Sequence, residues 1–102
     1  MIKIRLFCAA GFSTGMLVNN MRAAATKKGI EVDIQADSQA KIAQLVEGID
    51  VALLGPQVSY TLDKSKKVCD EKNVPIAVIP MSDYGTLNGE KVLDLALNLM
   101  QG

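Results

Sequence analysis

The stretch Ile2-Lys3-Ile4-Arg5-Leu6-Phe7-Cys8-Ala9-Ala10-Gly11-Phe12-Ser13-Thr14 carries a short strand pattern into a cysteine, then into a loop of small and hydroxyl residues. A helical pattern follows at once. Leu17, Val18, Met21, Ala24, Ala25 and Lys28 recur at helical spacing, Ser13 or Thr14 is the expected N-cap, and Gly29 is the expected stop. A strand, a tight loop and a helix in that order form the first half of a βαβ unit.

Working outward, residues 30 to 36 alternate apolar and polar, as an edge strand with one covered face does. Asp37 or Ser38 is placed to cap a short helix carrying Ile42, Leu45 and Val46. Val51-Ala52-Leu53-Leu54 is continuously apolar and reads as a central parallel strand. Gly55-Pro56-Gln57 must break it. A helix is expected from about Ser59 to Lys72, with Val58, Leu62, Ser65 and Cys69 on one stripe, which turns Cys69 to the core. Val74 to Ile79 reads as a fourth strand, Pro80 to Gly89 as a loop, and Val92, Leu93, Ala96, Leu99 and Met100 as one face of a last helix.

Strands and helices alternating at this spacing predict an α/β fold, a four-stranded parallel sheet in the order 2-1-3-4 with helices on both faces. The strand order reverses between strands 1 and 3, so a crevice is expected at their carboxyl ends. Cys8, the Gly55-Pro56-Gln57 turn and the Met81-to-Gly85 loop all fall on that rim.

Composition narrows the function. The 102 residues are expected to form one domain, 1–102, and 49% hydrophobic with 22% charged residues is an ordinary globular balance. No apolar stretch approaches the length of a membrane span, and no secretory signal pattern opens the chain, so a cytoplasmic protein without membrane insertion is expected. Eleven basic residues balance eleven acidic ones without a basic stripe, which disfavours nucleic acid. Lys64, Lys66 and Lys67 are flanked by Asp63, Asp70 and Glu71, as on a solvated helix face. Two cysteines without metal-ligand spacing suit neither a disulfide framework nor a metal site. There is no histidine, which removes the commonest general base and metal ligand.

Cys8 is the candidate nucleophile. A cysteine at a strand end just before a helix lies near unpaired N–H groups and the positive end of a helix dipole, surroundings that favour a thiolate. The same donors can receive the outer oxygens of a phosphoryl group once sulfur carries one. Ala9, Ala10 and Gly11 are small enough for backbone to close round it, and Ser13 and Thr14 add hydroxyls. No lysine follows the glycines, so this is not a nucleotide P-loop. Six residues after Cys8, where cysteine-dependent phosphatases carry a phosphate-binding arginine, stands Thr14. Without a guanidinium, hydrolysis in place is promoted less, which suits a carrier that must keep its phosphoryl group. Cys69 reads as core packing. Asp83 is the one acid near the rim that could serve as a general acid, and a solvated loop residue is the simpler reading.

The Leu6-to-Thr14 opening, Met21-Arg22, the Leu53-Leu54-Gly55-Pro56-Gln57 turn and the Tyr84-Gly85 pair together resemble the IIB components of the phosphoenolpyruvate-dependent sugar phosphotransferase system (PTS), in the lactose, cellobiose and chitobiose class. The resemblance covers essentially the whole chain. It implies an architecture like that of low-molecular-weight tyrosine phosphatases. It also implies that Cys8 takes a phosphoryl group from phosphohistidine on a IIA partner and delivers it to a sugar, a β-linked disaccharide, bound by a membrane-embedded IIC partner. By the same resemblance residues 9 to 15, Ala9, Ala10, Gly11, Phe12, Ser13, Thr14 and Gly15, form the phosphate-binding loop. No metal or other cofactor is needed on this chain for such a relay. Met16, Pro56, Gln57, Tyr60 and Tyr84 are the expected docking rim, and Phe12, Met16, Val58 and Tyr60 its apolar part; Phe12 and Met16 equally fit packing under the loop.

Two other classes remain open on sequence. A small cysteine-dependent phosphatase or arsenate reductase-like enzyme shares the architecture, and Thr14 argues against it. A receiver or anion-binding module would need an aspartate at the end of the third strand if it were a receiver, and Gly55 stands there.

Overall fold

The computed structural model describes residues 1–9 and 14–101, with Thr14 described by its backbone alone. Four strands, β1 (Ile2–Cys8), β2 (Val32–Ser38), β3 (Val51–Leu54) and β4 (Ile76–Val78), form one parallel sheet in the order β2-β1-β3-β4. This is the order expected. The helices are α1 (Thr14–Lys28), α2 (Ile42–Leu45), α3 (Leu62–Glu71), α4 (Met81–Gly85) and α5 (Gly89–Gln101), with 3-10 turns at Gln39–Lys41 and Pro56–Thr61.

Strand alternation divides the core in two. On one face Ile4, Leu6, Cys8, Val51 and Leu53 are buried with Leu17, Met21 and Ala25 of α1 and Val92, Leu93 and Ala96 of α5. On the other, Phe7, Ala52 and Leu54 are buried with Ile42, Val46, Val58, Cys69 and Val74. Each large side chain fully enclosed in this way stabilises the fold by about 1.5–3 kcal/mol relative to exposure. Lys28 ends the apolar stripe of α1 with an ion pair to Asp94 of α5, Nζ to Oδ1 3.3 Å.

The helix stops explain where the strands begin. Gly29 has φ +71°; its N–H donates to Thr26 O at 3.1 Å, and the Ile30 N–H donates to Ala25 O at 2.9 Å. Those two bonds are the Schellman ending. Ile30 therefore belongs to the helix stop, and β2 runs two residues later than the alternation implied, paired from Ile2↔Val32 to Cys8↔Ser38. Asn73, with φ +58°, ends α3 in the same way: Asn73 N–H donates to Asp70 O and Val74 N–H to Cys69 O. That takes Val74 out of β4, which is shorter than the expected 74–79, although Pro75 O and the Ile79 N–H still bond to Ala52 and Leu54 of β3.

Two further boundaries differ. The helix expected from Ser59 is a 3-10 turn over Pro56–Thr61, interrupted at Val58 (φ −114°, ψ 22°), and only Leu62 begins α3. The expected loop after β4 contains α4, a short helix whose Tyr84 is buried against the α1/α5 face. Ser38 is the cap of the turn after β2, its Oγ accepting from the Ala40 N–H at 3.3 Å.

Candidate functional site

The carboxyl ends of β1 and β3 meet beside Cys8. Cys8 closes β1 opposite Ser38 of β2, and its side chain is 1% exposed. Across from it the Gly55 N–H donates to Phe7 O at 2.9 Å, which continues the β1–β3 ladder one residue past β3. A Cβ on Gly55 would lie 2.8 Å from Cys8 Sγ, closer than such atoms approach, and 3.1 Å from Gln57 Oε1. Gly55 has φ −63° and ψ 148°, angles open to any residue. Its lack of a side chain serves the approach of the sulfur, not the backbone.

The donors expected around this sulfur come partly into view. Thr14 is the first helical residue of α1, so the N–H groups of the first turn, at Thr14, Gly15 and Met16, have no acceptor within the helix. No acidic residue occupies that turn, and the fifteen-residue helix presents the positive end of its dipole there. Ala9 is exposed at a bend after β1. Ala10, Gly11, Phe12 and Ser13, expected in the phosphate-binding loop, lie outside the described residues.

The expected rim divides. Met16 is 62% exposed on α1 and Tyr60 is 84% exposed on the turn after β3, while Pro56 is half-buried and Gln57 exposed on the same turn. Val58 and Tyr84 point inward: each is buried in a core cluster, so neither offers a docking surface, and Tyr84 supports the rim from beneath. Asp83 sits half-buried in the first turn of α4 and not in a solvated loop. Arg22 is committed to the fold, donating from Nη2 to Ile34 O of edge strand β2 at 2.6 Å. Met81, 63% exposed at the start of α4, joins the apolar rim. Its segment was expected on this rim, though as a loop and not as a helix.

Cys69 is a different kind of thiol. It is fully buried in the α2/α3 half of the core, and its pKa is pushed from 9.0 up to about 11, by burial first and by Asp70 second, with Lys66 opposing. Among the described residues no group of His, Cys, Asp and Glu is arranged to hold a metal ion, and no helix is long and apolar enough to cross a membrane.

Residues 3–95 match the family model for the lactose/cellobiose-specific IIB subunit of the PTS system. The galactose-specific EIIB component of Lactococcus lactis subsp. cremoris (strain MG1363) is 44% identical over 102 residues, a match spanning 95% of this chain and 94% of the relative. The chain belongs to the lactose/cellobiose-specific IIB family.

It is accordingly a phosphotransferase, a IIB component for sugars of the cellobiose and lactose type. The solution structure of the cellobiose-specific IIB component of Borrelia burgdorferi superposes with a TM-score of 0.81 at 39% identity, covering 98% of this chain and 92% of that one. A lactose-specific EIICB component of Lacticaseibacillus casei matches 91% of this chain at 23% identity over only 16% of its own length. The IIB unit there is one part of a larger chain. In the present IIB component, Cys8, Gly55 and Gln57 are brought together by β1 and β3, while Met16, Tyr60 and Met81 each follow a strand's carboxyl end.

Proposed function

We propose that Cys8 is the phosphoryl carrier of this IIB component, loaded by a phosphohistidine of IIA and unloaded onto a sugar bound by membrane-embedded IIC. Sulfur attacks phosphorus, the S–P bond forms as the N–P bond breaks, and the electron pair of that bond returns to the imidazole nitrogen, which takes up the thiol proton. In the second step a sugar hydroxyl oxygen attacks phosphorus, the S–P bond breaks, and the thiolate is restored to thiol by the hydroxyl proton.

The observation that carries the reading is the setting of Cys8 Sγ at the carboxyl end of β1, packed against the bare face of Gly55 and with the first turn of α1 following within a few residues. Transfer of this kind depends on in-line placement and on donors for the phosphoryl oxygens, so one nucleophile suffices. Cys8 is almost wholly covered, and loading therefore requires its neighbours to part when IIA docks. Met16, Tyr60 and Met81 supply exposed, adaptable apolar surface on which two partners in turn can dock. Relatives at similar identity are named for galactose and for cellobiose, which fits a relay whose sugar contacts belong to IIC. We place the protein in the cytoplasm, and its sugar among β-linked disaccharides such as cellobiose, chitobiose or lactose.

The test is intact mass after incubation with phosphoenolpyruvate, the two general phosphotransferase proteins and a matching IIA. The parent gains one phosphoryl group and Cys8→Ser gains none, with its far-ultraviolet circular dichroism unchanged. A parent that stays unmodified beside demonstrably phosphorylated IIA, or a serine variant modified as fully as the parent, overturns the assignment.

A further inference from the structure

We propose that the Gln57 carboxamide, which lies near the sulfur against the same bare face of Gly55, orients the phosphoryl group on Cys8. The inference rests on the phosphocysteine reading and adds a residue to it.

The geometry converges on one point. The position a Cβ would take at residue 55 is 2.8 Å from Cys8 Sγ and 3.1 Å from Gln57 Oε1, so sulfur and carboxamide are neighbours against one bare face of Gly55, packed there too closely to admit a methyl group. Gly55 itself is buried, whereas Gln57 is exposed and its carboxamide has no hydrogen-bond partner among the described residues. An unpartnered amide beside a nucleophile is free to bond whatever the nucleophile acquires. Pro56 fixes the turn between them, which holds the amide near the sulfur without tying up its donors.

The chemistry of the amide suits both states of a carrier. One end accepts and the other offers two N–H donors, and a half-turn of the group exchanges them. Beside a thiol it presents its carbonyl oxygen; beside a phosphorylated sulfur it turns Nε2 toward a phosphoryl oxygen. Gln57 neither gains nor loses a proton in loading, since the thiol proton leaves with the imidazole. A carboxylate here would repel the dianion. A cation would add the charge stabilisation that favours attack by water.

The experiment compares the parent with Gln57→Leu and Gln57→Glu, using phosphorylated IIA as donor. Loading kinetics are followed by intact mass over a range of IIA concentrations, and the Gln57 side-chain amide is followed by proton–nitrogen correlation spectra before and after loading. We expect the Gln57 NH2 resonances to move on phosphorylation, and both variants to load with kcat lowered about tenfold at nearly unchanged KM for IIA. Parent-like kcat in both variants, a loss confined to KM, or unmoved amide resonances in a fully loaded parent each overturns the role. A parent that does not load at all refutes the phosphocysteine reading instead, and with it this inference.

Discussion

Cys8 and Cys69 are both free and both buried, and they lie on opposite faces of one sheet, yet their surroundings ask different things of them. Cys8 ends a strand, and the residue across from it has given up its side chain to let the sulfur approach. Cys69 sits in the middle of α3 among Phe7, Ile42 and Val46, and its neighbours hold it neutral. Burial alone does not separate the two thiols. What separates them is that Cys8 closes a strand against a bare glycine, with a helix beginning a few residues on, whereas Cys69 is packed among apolar side chains in the middle of a helix.

A second pair of sites isolates that difference. Gly55 and Gly89 both exclude a Cβ, but Gly55 excludes it for the sake of the sulfur, whereas a Cβ on Gly89 would lie 2.3 Å from the backbone carbon of Asn20 and 2.5 Å from Met21 N. Gly89 is where α5 crosses α1 in direct backbone contact.

The sharpest way to break the comparison is Gly55→Ala. The added methyl displaces Sγ, and loading from phosphorylated IIA should slow about a hundredfold, the order of effect expected from a misplacement near 1 Å. Parent-like loading would mean that the sulfur has other room. Gly89→Ala should do the opposite: α1 and α5 must separate, stability falls by about 1–3 kcal/mol in urea unfolding, and loading of the folded fraction is unchanged. If it impaired loading as severely as the change at Gly55, close packing in general, and not the approach of the sulfur to Gly55, would be the operative feature.

Smaller effects follow on the Cys69 side. Cys69→Ala leaves a cavity beneath α3 and should lower stability by about 1–2 kcal/mol with phosphoryl loading intact. The last prediction concerns pH. Folding raises the Cys69 pKa from 9.0 to about 11, so between those values the unfolded chain has released a proton that the folded chain still holds. Stability from this group is complete below pH 9, falls as pH rises toward 11, and is the part of the alkaline slope that Cys69→Ala should remove in denaturation midpoints measured across that range. An unaltered slope would show that the thiol is not held neutral by its burial.

Much of this was open to sequence reasoning where a local rule and the tertiary fold agree. The parallel sheet, its order, the stop at Gly29 and the inward turn of Cys69 follow from periodicity and from glycine's freedom at positive φ. The Asn73 ending was also legible in principle, since asparagine tolerates that conformation and Val74 supplies the apolar residue that follows it. Leu87 carried no such signal. Its φ of +54° is unfavourable for leucine and is imposed by the ending of α4, where the Leu87 N–H donates to Tyr84 O and the Asn88 N–H to Asp83 O, and by Asn20 of α1, whose Nδ2 donates to Leu87 O at 2.8 Å. Ser82, Asp83 and Gly85 read as loop residues, and α4 forms because Tyr84 has a core to enter.

By itself, then, the order of residues determined the four strands and the helices α1, α2, α3 and α5, how they must be connected, and which cysteine stands at a strand end before small residues. These are properties of neighbours in the chain. Only the tertiary structure decided that Gly55 is bare where Cys8 Sγ packs against it, that Gln57 lies against the same face, and that Tyr84 belongs inside while Met81 belongs outside. Those facts depend on distances between residues far apart in sequence, and such distances are set by how the sheet registers and how the helices pack upon it.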